Sequence, residues 1–257
     1  MNMSEKQMPI LSLKHVTKHF GGIKAVHDVS MDVMHGERRL IIGTNGAGKS
    51  TLFNLICGDF PLTSGSVEIF GKDVTRMNVR ERAKLGMRRT YQATALFRQM
   101  TLRQNFYLAL LGKRSLLSHL NMLTYYKDTV SYDDQIEAVA QQVRLFEKLD
   151  ERVESISHGE CRQLELGLAL ICQPQLLLLD EPSSGLSASE RQIILDLLRE
   201  LDPDITLVLV EHNMELAFAI ATQVTVMMNG EVIVHGTPDE IRSNEYVQKI
   251  YLGGGNR

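Results

Sequence analysis

A chain of 257 residues with 44% hydrophobic and 23% charged residues can bury a full core, and its composition lies far from the disordered and fibrous classes. Its net charge of -3 creates no basic field to draw it onto nucleic acid or an anionic bilayer, so nucleic acid is not an expected partner. Three cysteines, Cys57, Cys161 and Cys172, lack paired metal-ligand spacing and are expected as reduced thiols.

The amino-terminal stretch MNMSEKQMPILSL has no apolar signal core, and no run approaches the roughly 20 apolar residues that span a bilayer. Any membrane role is therefore expected to come through a partner. Ile10 to Val16 and Ala25 to Met34 alternate apolar and polar residues, the pattern of half-exposed antiparallel strands. RRLIIG then forms an apolar strand ending at Gly43, followed by a glycine-rich turn and the helical TLFNLICGDF. SGSVEIFG predicts another strand between turn glycines. From about Thr101 to Leu149 apolar residues such as Leu102, Phe106 and Leu110 recur at helical spacing, predicting a helical subdomain with a polar break near Ser131 to Asp134. Beyond Gln175, the strands LLLLD, ITLVLV and VTVMM alternate with the helices SERQIILDLLREL and NMELAFAIA, the rhythm of a parallel sheet with crossover helices. Asn229-Gly230 marks a hairpin turn.

The segment GTNGAGKST, comprising Gly43, Thr44, Asn45, Gly46, Ala47, Gly48, Lys49, Ser50 and Thr51, fits G-x-x-x-x-G-K-[ST] between a predicted strand and helix. Its glycines let backbone N–H groups and a helix N-terminus surround phosphates, while Lys49 brings a positive charge to them. The Ser50 hydroxyl suits a Mg²⁺ ligand, and Thr51 suits the α-phosphate or the helix start. LLLLDEP delivers two carboxylates to a strand end: Asp180 is expected to hold Mg²⁺ through water, and Glu181 to polarise the water that attacks the γ-phosphate.

ISHGECRQLELGLAL, Ile156 to Leu170, resembles the signature segment of ABC ATPases, with Ser157 and Gly159 at its serine and second-glycine positions and with Ile156, His158 and Glu160 departing from it. Ser157-x-x-Glu160 also reads as a capping box. The resemblance runs over essentially the whole chain and is strongest to the ATP-binding subunits of branched-chain amino-acid importers, on FGGIKAV, RRTYQATALFRQMTLRQN, SHGE, VEHNM, GTPDEIRSN and the YLG ending. Urea-import and lipopolysaccharide-export ATPases are near cousins.

The resemblance implies an α/β P-loop NTPase core with a mainly parallel sheet, an antiparallel β subdomain and a helical subdomain. The chain is then one ABC ATPase domain over 1–257, with the core and β subdomain at about 8–91 and 160–257 and the helical subdomain at about 93–159. It implies ATP and Mg²⁺ as ligands. Gln92 becomes a metal and nucleotide sensor, His212 a catalytic switch, and Phe20 an aromatic for adenine with Val26 beside it. Ser157, His158, Gly159 and Glu160 then meet the ATP of an opposite subunit, and Ser184, Gly185, Leu186 and Ser187 form the D-loop. Ser187 stands where the family commonly has aspartate, and Ser187-x-x-Glu190 reads as a helix cap.

The partners implied are a second ATPase subunit, identical or a sister chain, two integral-membrane permease subunits and, indirectly, a solute-binding protein. The place implied is the cytoplasmic face of the cell membrane. The segment between Gln92 and Ser157 includes the expected permease surface; the leucine-rich Leu116 to Tyr126 reads as that partner surface or as a membrane-facing amphipathic patch, beside ordinary packing within the helical subdomain. A non-transport ABC ATPase, such as the cluster-assembly type, a lipopolysaccharide-export-type ATPase and a nucleotide-gated scaffold with negligible turnover are the competing readings.

Overall fold

The computed structural model describes residues 8–90, 96–112 and 122–252, with only the backbone described for 122–131, 215–216 and 250–252. In chain order the elements are strands β1 (Leu11–Phe20), β2 (Ile23–Val33) and β3 (Arg38–Gly43), helix α1 (Lys49–Cys57), strands β4 (Ser64–Ile69) and β5 (Lys72–Asp73), helix α2 (Val79–Lys84) and strand β6 (Met87–Arg89). Helices α3 (Leu102–Gly112), α4 (Met122–Gln142) and α5 (His158–Leu170) follow, then strand β7 (Leu176–Asp180), helix α6 (Ala188–Arg199), strand β8 (Thr206–Val210) and helix α7 (Met214–Ile220). Strands β9 (Gln223–Met228) and β10 (Glu231–Gly236) and helices α8 (Pro238–Ser243) and α9 (Glu245–Leu252) complete the described chain.

The chain divides into two compact units, one of residues 1–89, 175–181 and 202–257, the other of 90–174 and 182–201. In the first, a four-stranded antiparallel sheet of order β2-β1-β4-β5 accompanies a six-stranded sheet of order β10-β9-β3-β8-β7-β6. Strands β9, β3, β8, β7 and β6 run parallel, and β10 closes the edge antiparallel to β9. LLLLD in β7 and TLVLV in β8 are buried throughout, because a parallel strand covered on both faces has no solvent side on which to alternate. By contrast, β2 alternates through VSMDV, its buried Val29, Met31 and Val33 separated by exposed Ser30 and Asp32. Both sheets contribute to one apolar core with α1, which includes Leu13, Val67, Phe53, Ile56, Leu178 and Val208.

Asn229 and Gly230 both adopt positive φ, 52° and 84°, and join β9 to β10 with Met228 opposite Glu231, the two-residue hairpin expected from the dipeptide. The second unit packs α3, α4 and α6 against α5. Gly167 of α5 lies so close to Phe106 of α3 that a Cβ would stand 2.9 Å from its ring. The break expected near Ser131 to Asp134 does not occur: α4 runs through it. Tyr132 is buried there, edge-on to Tyr107 with ring centroids 5.8 Å apart, while Asp133 and Asp134 are exposed. The polar cluster is the solvent face of a helix and leaves its backbone bonds intact. The three cysteines are buried free thiols, and burial pushes Cys57 up to about 12.

Candidate nucleotide site

Three adjacent parallel strands, β3, β8 and β7, end in the residues with the strongest chemical signals. The glycine-rich loop follows β3, Asp180 ends β7 with Glu181 next to it, and Glu211-His212 follow β8. Open α/β sheets bind ligands beyond such carboxyl ends. A cavity of about 490 Å³ lies here in the first unit, lined by residues 45–51 and 23–25 together with Glu181, His212 and Asn229.

Helix α1 begins without a side-chain cap. Its N-cap, Gly48, has φ 96° and ψ 2°, a conformation reserved for glycine, and a Cβ there would collide with the Ala25 carbonyl oxygen. The first-turn N–H groups are thus left to a ligand or water, the arrangement that binds phosphate at helix N-termini. Lys49 is 6% exposed and folds back to donate from Nζ to the carbonyl oxygens of Gly43 (2.8 Å) and Thr44 (3.0 Å). Burial lowers its pKa, and the Glu181 and Asp180 carboxylates oppose the shift.

Glu181 adopts φ 52°, unusual for a residue with a side chain and a common mark of functional positions. Its N–H still bonds the Val210 carbonyl at 2.9 Å, and its Oε1 lies 2.7 Å from His212 Nε2. The half-exposed His212 is presented by a turn in which the buried Glu211 carboxylate accepts the N–H groups of His212 and Asn213 at 3.0 and 3.3 Å.

Asp180 is 4% exposed. Its Oδ2 accepts from Arg89 Nη2 at 3.0 Å, and its Oδ1 is buried with no partner in the protein. Burial raises its pKa, and Arg89 works against that shift. A buried carboxylate oxygen without a protein donor, at the strand end beside a phosphate-type loop, fits a Mg²⁺ ion held through water.

Other expected residues lie elsewhere. Gly43, Thr44, Phe20 and Val26 do not line the cavity; Val26 is fully buried, whereas Ile23, which does line it, is 71% exposed. Phe20 is partly exposed, edge-on to Phe60 at 5.6 Å, with Lys18 Nζ 5.0 Å from its ring centre. Gln92 lies outside the described residues, as do Leu116 to Asn121, and for Met122 to Tyr126 only helical backbone is described.

In the second unit, Ser157 caps α5 and Ser187 caps α6, each in the capping box read from the sequence. Glu190 joins the two ends: its Oε2 accepts the Ser187 N–H at 2.9 Å and its Oε1 accepts the Gly159 N–H at 3.1 Å. Ser184 and Gly185 are exposed and Leu186 is buried. His158 comes close to Gly185, where a Cβ would stand 3.3 Å from its Nε2. Sequence pattern does not mark Glu190, Arg89, Ile23 or Asn229 as site residues. Arg89 lies in RRTYQ and Asn229 in a turn signal, but nothing in their local pattern announces the company they keep.

The sequence matches the ABC transporter family over residues 26–184. The chain belongs to the ABC transporter family. Residues 231–256 also match the branched-chain amino acid ATP-binding cassette transporter family. Among similar proteins, the high-affinity branched-chain amino acid transport ATP-binding protein LivG of Escherichia coli (strain K12) is 32% identical over 250 residues, 95% of this chain and 98% of LivG. BraG, the protein so described from Pseudomonas aeruginosa, is 33% identical over 247 residues, 95% of this chain and all of BraG. An ATP-binding cassette of an ABC transporter, solved in its ADP conformation, superposes with a TM-score of 0.83 at 29% identity, covering 96% of this chain and 100% of that one. This ABC protein is accordingly a nucleotide-binding ATPase subunit coupled to transport. No helix among its described residues is long and apolar enough to cross a membrane.

Proposed function

We propose that this chain powers an importer for branched-chain amino acids: paired with a second ATPase subunit, it hydrolyses ATP at the cytoplasmic face of the membrane and drives two permease subunits supplied by a solute-binding protein. The observation that carries the chemistry is the convergence of residues 45–51, Glu181 and His212 on one cavity. The substrate class is supported by the family match over residues 231–256 and by the relatives' names.

In this reading the loop from Gly43 to Thr51 cradles the phosphates, and Lys49 leaves its own loop carbonyls for the β- and γ-phosphate oxygens. Ser50 and Asp180, with Gln92, would hold Mg²⁺, which when bound neutralises phosphate charge. Glu181 accepts a proton from the water whose oxygen bonds the γ-phosphorus as the bond to ADP breaks, and His212, already 2.7 Å from Glu181, orients that carboxylate and the γ-phosphate. Phe20, braced by Phe60, offers a ring to adenine, with Val26 in the core of the same hairpin. Ser157, His158, Gly159 and Glu160 face the ATP of the opposite subunit, and Ser184 to Ser187 carry the state of one site to the other.

The test is purification with its membrane subunits, reconstitution into vesicles, and measurement of ATP-dependent uptake with purified solute-binding protein. Uptake of radiolabelled leucine or valine, abolished by Lys49→Ala, is the expected result. Urea uptake without leucine uptake would move the substrate, and recovery only with soluble scaffold proteins would sink the transport reading.

A further inference from the structure

Strand β6 ends at Arg89, opposite Leu178 in the parallel pairing with β7, so its side chain starts two residues short of Asp180 on the neighbouring strand. The guanidinium is 7% exposed. Its Nη1 donates to Asn54 Oδ1 at 2.6 Å and Asp59 Oδ2 at 2.7 Å, and its Nη2 donates to Asp180 Oδ2 at 3.0 Å. It also lies over the Phe53 ring, 5.9 Å from the centroid. Phe53 and Asn54 belong to α1, the helix that opens with the phosphate loop, and Asp59 lies just past its C-cap, Gly58. One planar fork thus ties the loop's helix, the turn after it and the carboxylate at the end of β7 into a single hydrogen-bonded unit. A planar group with several fixed donors can do this, and a point charge cannot.

The consequence for Asp180 is specific. Its Oδ2 is committed to Arg89, while Oδ1 is buried with no protein partner. A charge-assisted hydrogen bond to one oxygen restrains the carboxylate's terminal torsion, which biases the other oxygen toward one direction. Groups that orient a metal-binding side chain in this way act on metal affinity without touching the metal.

We propose that Arg89 is a positioning residue for the nucleotide reaction, holding Asp180 in register with the phosphate-loop helix so that Oδ1 alone is offered to the magnesium of bound nucleotide. This rests on reading Asp180 as the metal carboxylate. In this role Arg89 acts through Asp180.

The experiment uses the full chain and titrates ATP at equilibrium, once with EDTA and once across a Mg²⁺ series. Arg89→Ala should raise the Mg²⁺ concentration needed for half-maximal tightening of ATP binding by roughly 10–100-fold, while metal-free ATP affinity stays as in the parent. Arg89→Lys, which keeps the charge but serves one acceptor at a time, should recover part of the shift. Asp59→Asn, which leaves the pair with Asp180 in place, should shift it least.

A merely structural role predicts equal loss of metal-free and metal-dependent binding, and that outcome overturns the proposal. An unchanged Mg²⁺ dependence overturns it as well. Asp180→Asn separates the two layers: if it too leaves Mg²⁺ dependence unchanged, the reading of Asp180 fails, whereas a large shift there with none in Arg89→Ala refutes only the role of Arg89. Should Arg89→Ala fail to fold by circular dichroism, the same titration of Arg89→Gln and Arg89→Lys decides the proposal: a selective loss of Mg²⁺ dependence supports it, and an equal loss or none overturns it.

Discussion

Two helix N-termini in this chain use the same backbone device in opposite ways. At α1 the cap is a glycine in the left-handed region with no side chain to bond the first turn. At α5 the corresponding groups are already engaged: Ser157 Oγ accepts the Glu160 N–H at 3.2 Å, Glu160 returns the bond to Ser157 N–H at 2.8 Å, and Glu190 takes the Gly159 N–H at 3.1 Å. Lys148 adds an ion pair to Glu160 at 2.6 Å. A helix end can offer phosphate only those N–H groups that are not already bonded, because carboxylate and phosphate compete for the same donors and the same dipole. The α1 end is open in the lone chain. The α5 end is satisfied from within, so a phosphate approaching Gly159 has to displace the Glu190 carboxylate.

The largest expected effect comes from closing the open end. Gly48→Ala forces a side chain into φ 96° against the Ala25 carbonyl and should remove detectable ATP binding in equilibrium titration while circular dichroism stays native-like. Retained affinity would mean that this end is not the phosphate cradle. Glu181→Gln should leave that cradle intact, preserving ATP binding, yet lower turnover of the assembled complex by about 10²–10⁴-fold, the usual range for a lost general base; parent-level phosphate release would remove Glu181 from that role.

At the closed end the effects are smaller and appear as stability. Ser157→Ala removes the cap of α5 and should cost about 1 kcal/mol in chemical denaturation, whereas no comparable side-chain cap exists to delete at α1. The Glu190 carboxyl sits below its ordinary 4.5, held there by the Ser187 hydroxyl first, then the backbone of Ser187 and of Gly159. A depressed folded-state pKa stabilises fully above the unfolded value and is lost as pH falls through the lowered one. The stability difference between the parent and Glu190→Gln should therefore be constant near neutral pH and shrink below about 4.5; a difference that grows on acidification would contradict this bonding.

Much of this arrangement is legible in local pattern. The strand-loop-helix around Lys49, the acids at the end of LLLLD, the capping boxes at Ser157 and Ser187 and the Asn229-Gly230 turn each depend on residues within a few positions of one another, and short-range sterics and hydrogen bonding dictate them. The polar stretch Ser131 to Asp134 misleads for the same reason. Local polarity reads as a break until Tyr132 is seen packed on Tyr107, which only the neighbouring helix reveals.

By itself, then, the sequence determined the main strands and several of the helices, that one loop is built for phosphate, and that the chain resembles the ABC ATPases, while it misplaced a break within α4. Tertiary structure alone decided that β8 lies between β3 and β7, which brings His212 to Glu181. It also decided that Arg89 unites Asn54, Asp59 and Asp180, and that Glu190 reaches back 31 residues to Gly159. These pairings join residues far apart in the chain, and strand order and helix packing, which no local periodicity encodes, set their partners.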